Sequence, residues 1–196
     1  RRSETTQRLQ LAADGEGRLA GFGHKALVSN LPGESFAEPV LQSSHFLYAA
    51  ENRELMLEVA RIHRMTAGSV RAPGEAVGMP TLEGAMDILA ERAGIDPVEL
   101  RLRNIPEKDP EEGLPFSSHK LAECLRQGAK AFGWDTGPRR PRQRHRHLEI
   151  VTLHIAILDG KARRHLVKHR GAAGDIARAH KLVEVKAADH AAPGAK

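Results

Sequence analysis

Gly68-Ser69-Val70-Arg71-Ala72-Pro73-Gly74-Glu75-Ala76-Val77-Gly78 leads into residues 79–93, where apolar side chains recur at Met79, Leu82, Met86, Leu89 and Ala93. Steps of three and four residues place those five on one side of a helix, the stripe of a buried face. An arginine, a proline and glycines crowd the mouth of that helix. Such a loop lets backbone N–H groups approach an anionic ligand closely, with a guanidinium alongside. On spacing alone a tight turn before a core helix is the better account. Gly68, Gly74 and Gly78 fit either: close approach to a ligand, or turn geometry and helix packing.

On the N-terminal side, residues 7–13 alternate, with Leu9, Leu11 and Ala13 on one side. Asp14-Gly15-Glu16-Gly17 is a turn signal and residues 18–28 return, so an antiparallel hairpin is expected. Residues 29–45 are rich in Pro, Gly and Ser and read as a connection around a domain edge. Residues 46–50 and 55–62 each read as a strand, the second with Leu55, Leu57 and Val59 on one face and helix as its alternative.

On the C-terminal side, Gly94 fits the left-handed position that stops a helix. Asp96-Pro97-Val98-Glu99 reads as an N-cap, a proline at N1 and an acidic N3, opening a short helix to about Asn104. Residues 105–116 form a Pro- and Glu-rich loop. Ser117 or Ser118 is expected to cap a third helix that carries Leu121, Leu125, Gly128 and Phe132 on one face and ends at Gly133. Cys124 lies beside that stripe and reads as a buried thiol.

The net charge of +5 averages two unlike parts. Residues 1–136 carry 16 Lys/Arg against 20 Asp/Glu, and residues 137–196 carry 14 against 5, with seven of the 11 histidines. A break this sharp marks a boundary near Gly137-Pro138. Beyond it come a basic run, residues 139–146, one β-like stretch, residues 148–158, and an otherwise irregular or disordered tail rich in Ala, His, Lys and Arg. His145, His147, His154, His165 and His169 lack regular ligand spacing, so adventitious metal binding is the better account. The arginines have no interleaved aromatics, which favours a solvated tail over non-specific binding of nucleic acid. A single cysteine excludes an internal disulfide and an all-cysteine iron–sulfur site. No apolar run approaches the roughly 18 residues of a membrane span, and Arg1-Arg2-Ser3-Glu4-Thr5-Thr6-Gln7 does not open a targeting signal.

Several of these motifs occur together in unbroken order. They are Ser69-Val70-Arg71-Ala72-Pro73-Gly74-Glu75-Ala76, Leu82-Glu83-Gly84-Ala85-Met86-Asp87, and the run from Gly94 through Asp96-Pro97 to Asn104. With them stand Glu38-Pro39-Val40, Leu47-Tyr48-Ala49-Ala50-Glu51-Asn52-Arg53 and Leu114-Pro115-Phe116-Ser117-Ser118. From about Glu4 to Trp134 the chain resembles the molybdenum-binding large subunit of the xanthine dehydrogenase/aldehyde oxidase family, most of all its bacterial aldehyde-oxidising branch. The resemblance implies an α+β fold: part of a molybdopterin-binding domain over residues 1–136, a β-hairpin and strands followed by three helices. It implies an enzyme that oxidises aldehydes, or hydroxylates N-heterocycles such as purines, with oxygen taken from water.

For site residues, the resemblance places Val70, Arg71, Ala72 and Gly74 in the wall of the molybdenum–molybdopterin cofactor, in its cytosine dinucleotide form. There, a cation and inward N–H groups would stabilise negative charge. The competing account of Arg71 is a surface arginine in a turn. Glu75 is not the family's catalytic base, which lies in a Gly-Glu-Pro motif that this chain lacks, as it lacks the Gly-Gly-Gly-Phe-Gly loop. No catalytic residue is therefore assigned, and the chain reads as an internal section of a longer subunit, inactive alone. Partners would be an iron–sulfur subunit with [2Fe–2S] clusters and an FAD-binding subunit, in a bacterial cytoplasm or periplasm. Pro80 departs from the family pattern and costs roughly 3 kcal/mol inside a helix unless the helix starts late enough to hold it in the first turn. Residues 137–196 do not follow the family; a frameshifted reading, an erroneous gene end and a divergent extension all fit, the first two better. The alternative from another class is a non-catalytic orphan chain whose basic tail binds nucleic acid.

Overall fold

A computed structural model describes residues 1–134 and the backbone of two later strands, 151–158 and 183–186. Strands β1 (Thr5–Asp14) and β2 (Leu19–Asn30) form the expected antiparallel hairpin, with a register irregularity between Ala12 and Ala13. The Asp14 side chain closes its turn by accepting from the N–H groups of Glu16 and Arg18. Strand β3 (Asn52–Arg61) lies parallel to β2, so strand and not helix is the outcome for residues 55–61. Strand β4 (Val151–Leu158) lies parallel to β1 within the expected β-like stretch, and β5 (Val183–Lys186), which the pattern did not suggest, lies antiparallel to β4. The five-stranded order is β3-β2-β1-β4-β5. The sheet thus draws strands from both sides of the expected boundary, which itself falls outside the described residues, as do the basic run 139–146 and His145, His147, His165 and His169. His154 lies on β4.

Among the described residues four helices accompany the sheet: α1 (Gln42–Phe46), α2 (Glu75–Ala93), α3 (Pro97–Asn104) and α4 (Leu121–Phe132). The architecture is α+β, as expected. Leu9, Leu11 and Ala13 of β1 pack with Leu19 and Phe22 of β2 against Leu82, Ala85, Met86, Leu89 and Ala90 of α2, with Leu100 of α3 closing the core. The α2 face also buries Gly78 and Thr81, so it is rotated toward the small residues and leaves Met79 and Ala93 only half-buried. Leu55 and Val59 of β3 pack inward, whereas Leu57, on an edge strand, is exposed.

Several expectations are corrected. Residues 46–50 are not a strand: Phe46 ends α1, and both edges of β2 are already taken by β1 and β3. Helix α2 begins at Glu75, so Pro80 sits inside it, exposed, and withholds the bond its N–H would give the Ala76 carbonyl. Helix α4 begins at Leu121 without a side-chain cap, because Phe116 stacks on His119 at 4.5 Å and keeps Ser117 and Ser118 in the preceding loop. It buries no residue; Leu121 and Leu125 are half-covered, Gly128 and Phe132 are exposed, and so is Cys124, whose thiol is therefore not buried.

The helix ends follow the sequence closely. Gly94 and Gly133 adopt the left-handed conformation at φ 65° and 71°. Asp96 accepts from the N–H groups of Val98 and Glu99 at 2.9 and 3.1 Å and also takes the Trp134 indole N–H at 2.8 Å. Asn104 is a buried clamp: its amide oxygen accepts from Leu19 N–H, and its NH2 donates to the carbonyls of Gly17 and Leu100, all at 2.8 Å.

Candidate functional site

Residues 70–74 form a turn raised over the N-terminus of α2. Val70, Arg71 and Ala72 are exposed, and Ala72 is in the left-handed region at φ 54°. A non-glycine residue there is uncommon and persists only when its surroundings hold it. Arg2 supplies the hold: its Nη2 donates to the Arg71 carbonyl at 2.7 Å and its Nη1 to the Ala72 carbonyl at 3.4 Å. With those carbonyls turned toward Arg2, the exposed atoms of 70–72, the Arg71 guanidinium among them, are free to meet a ligand.

The helix mouth itself is closed from within. Gly74 donates its N–H to Glu38 Oε1 at 2.7 Å, and the Glu38 side chain is fully buried. A β-carbon on Gly74 would stand 2.2 Å from the Pro39 carbonyl oxygen, and one on Gly78 would stand 1.9 Å from that of Val40. Glu38-Pro39-Val40 is thus the segment that the glycines let in, and Glu38 is the anion at the positive end of α2. The close approach expected of Gly74 and Gly78 is made to this chain's own backbone. A β-carbon on Gly68 would meet nothing within 4 Å, and its N–H donates to the Arg1 carbonyl at 3.0 Å. Glu75 lies in the first turn, where a carboxylate suits the helix dipole, as expected.

Beneath the turn runs a neutral hydrogen-bond chain. Gln7 Nε2 donates to the Val77 carbonyl at 3.1 Å, so its Oε1 is left to accept from His24 Nε2 at 3.1 Å. His24 Nδ1 then accepts from the Ser44 hydroxyl at 2.7 Å. Burial drives His24 down to about 4, so the ring is neutral near pH 7. A second network, Tyr48 hydroxyl to Glu83 at 2.8 Å and Arg101 to Glu83 at 2.7 Å and Asp87 at 3.0 Å, fastens α2 to α3.

Elsewhere among the described residues a cleft of about 480 Å³ is lined by His45, Ala50, Glu51, Arg53, Leu55, Pro110 and Glu111. Arg53 donates there to the Ser44 and His45 carbonyls at 2.7 and 2.9 Å. Burial lowers its pKa, countered by Glu111 and Asp109. No lining residue is shared with the 70–74 turn. Among the described residues no three His, Cys, Asp or Glu side chains are gathered to hold a metal ion, and no helix is long and apolar enough to cross a membrane.

An exposed cationic turn fixed on a helix that packs over a mixed sheet is the arrangement that the motifs of residues 38–104 specify. The molybdopterin cofactor-binding domain family matches residues 1–105, more than half of the chain. The chain belongs to that family. As a molybdopterin cofactor-binding domain it is 44% identical over 134 residues to the aldehyde oxidoreductase molybdenum-binding subunit PaoC of Escherichia coli K12, a match covering 68% of this chain and 18% of PaoC. It is 38% identical over 73 residues to the putative xanthine dehydrogenase molybdenum-binding subunit XdhA of the same organism, covering 36% of this chain and 10% of XdhA. In fold it resembles the aldehyde oxidoreductase of Desulfovibrio gigas, with TM-score 0.59 and 24% identity over 68% of this chain and 15% of that one. It also resembles quinoline 2-oxidoreductase of Pseudomonas putida 86, with TM-score 0.53 and 16% identity over 62% and 17%. The chain therefore spans less than a fifth of PaoC.

The local motif marks the 70–74 turn but carries no sign of what holds it. Arg2 gave no local signal, being one of two adjacent arginines with no pattern around them. Glu38 offered a faint one, a lone acid before Pro39-Val40 in an apolar setting. The Gln7–His24–Ser44 chain is visible only when β1, β2 and α1 are brought together.

Proposed function

We propose that this chain forms one wall of the cofactor site in a molybdenum hydroxylase subunit that oxidises aldehydes or hydroxylates N-heterocycles. The carrying observation is the exposed Val70, Arg71 and Ala72 on a turn held from beneath by Arg2 and Glu38. The turn fits the group in its chemistry: an exposed guanidinium on a backbone held by Arg2 suits the negative charge of a pterin phosphate or of oxygen around molybdenum. Bound molybdenum–molybdopterin supplies the two-electron oxidation, with oxygen taken from water. The chain's own part is to bind and orient, Arg71 by charge and residues 70–72 by their exposed surface. Gly74 contributes through the turn, since its N–H is committed to Glu38.

The reading extends to the cytosine dinucleotide form of the cofactor, and to partner subunits that carry [2Fe–2S] clusters and FAD. The aldehyde reading rests on the identity with PaoC over 134 residues. These residues are read as a section that acts only within a longer subunit.

A hybrid tests this. Residues 1–134 replace the matching section of PaoC, and molybdenum, pterin and aldehyde oxidation are measured beside the same hybrid with Arg71→Ala. The expected result is a loaded hybrid and a loss of cofactor or turnover of about ten-fold or more in the variant, the worth of one charge-assisted hydrogen bond. A folded hybrid whose loading and turnover do not change with Arg71→Ala overturns the role given to Arg71.

A further inference from the structure

Two donors converge on one buried oxygen. Glu38 Oε1 accepts from Arg2 Nη1 at 2.5 Å and from the Gly74 N–H at 2.7 Å, while the Glu38 side chain has no exposed surface and that of Arg2 is 22% exposed. The same guanidinium reaches on to the carbonyls of Arg71 and Ala72. One planar fork therefore ties residues far apart in sequence to both ends of a left-handed turn. Its rigidity matters, because a guanidinium donates along fixed directions and sets the peptide planes that accept from it.

A pair retained only for stability would not have this form. Taking a carboxylate out of water is costly, and an apolar pair of similar size often serves stability as well. Glu38 Oε2 is also buried without a hydrogen-bond partner, a further cost that packing alone does not explain. What the pair achieves is the conformation of residues 71–74: Arg2 holds two carbonyls, Glu38 holds the Gly74 N–H, and Ala72 stays at φ 54° between them.

We propose that Arg2 and Glu38 are positioning residues that hold the 71–74 turn so that the Arg71 guanidinium is presented to the cofactor. This rests on the cofactor reading of Arg71 given above. Neither residue touches the cofactor in this account; both act through the turn.

The test has one readout without cofactor and one with it. In the whole chain, trypsin cleavage after Arg71 and amide exchange of Gly74 are followed for the wild type, Glu38→Gln, Arg2→Gln and Arg2→Lys, with amides of β1 and β2 as the folding control. Expected is cleavage and exchange at the turn faster by about ten-fold, with the strands as protected as before. Arg2→Lys, which keeps the charge and loses the fork, should resemble Arg2→Gln. Unchanged turn protection in folded variants overturns the proposal. If Glu38→Gln does not fold, Arg2→Lys at the partly exposed end of the pair decides alone.

In the PaoC hybrid, Arg2→Lys should lower pterin content in the same direction as Arg71→Ala. A looser turn with full pterin content overturns the positioning role while leaving the Arg71 reading intact. Full pterin content and unchanged turnover in Arg71→Ala as well overturn both.

Discussion

Gly78 and Val40 meet backbone to backbone, with room for no side chain between them: a β-carbon at Gly78 would lie 1.9 Å from the Val40 carbonyl oxygen. The contact presses α2 onto the segment that carries Glu38. It makes position 78 a fixed contact between α2 and the segment beneath the candidate site.

Gly78→Ala should therefore destabilise the chain by about 2 kcal/mol or more, because the neighbour that must yield is backbone. A β-carbon on Gly84, on the same helix, would meet nothing within 4 Å, and Gly84→Ala should stabilise by about 0.5–1 kcal/mol. Thermal midpoints moving in opposite directions would bear this out; a neutral Gly78→Ala would contradict the close approach.

His24 makes stability depend on pH. Its folded value of about 4 lies below the ordinary 6.5, so the unfolded chain takes up a proton that the folded chain refuses. Above pH 6.5 both states are neutral and nothing changes. Between pH 6.5 and 4 stability falls as pH falls, by about 3 kcal/mol in all. In His24→Gln this part of the acid dependence should disappear, as urea midpoints at pH 7 and 5 would show.

Asp96 joins a helix start to the chain's single tryptophan. Asp96→Ala should cost about 1–2 kcal/mol through the lost cap, and the Trp134 emission should shift as the indole N–H turns to water. An unmoved spectrum would show that the indole does not depend on this carboxylate.

Asn104 uses both ends of its amide. Asn104→Asp would set a carboxylate against the carbonyls of Gly17 and Leu100 and should cost about 3 kcal/mol, loosening the turn between β1 and β2. Amide exchange at Leu19, which donates to the Asn104 side chain, is the local reporter.

Features set by neighbours in sequence were legible beforehand: the alternation of Leu9, Leu11 and Ala13, the left-handed Gly94 and Gly133, and the Asp96-Pro97 helix start. Each is decided within a turn or two of chain. Features set by which element happens to lie opposite were not. Leu57 alternates correctly and is exposed because β3 is an edge strand. Cys124 and Phe132 lie on or beside an apolar stripe that the described elements cover only in part, leaving both exposed. Arg71 could be picked out because its motif is local, whereas Arg2 and Glu38 meet it only in the folded chain.

The pairing of β1 with β4 also sets an order of events during synthesis. Leu9 finds His24 across a four-residue turn, yet its other neighbour, Leu153, is made long afterwards. Closing the first loop is fast and the second slow. The hairpin and the helices over it can assemble while one side of β1 still shows bare N–H and C=O groups to the cell. Until β4 arrives, that side is an open strand edge that another chain could pair with and a place for a chaperone to protect.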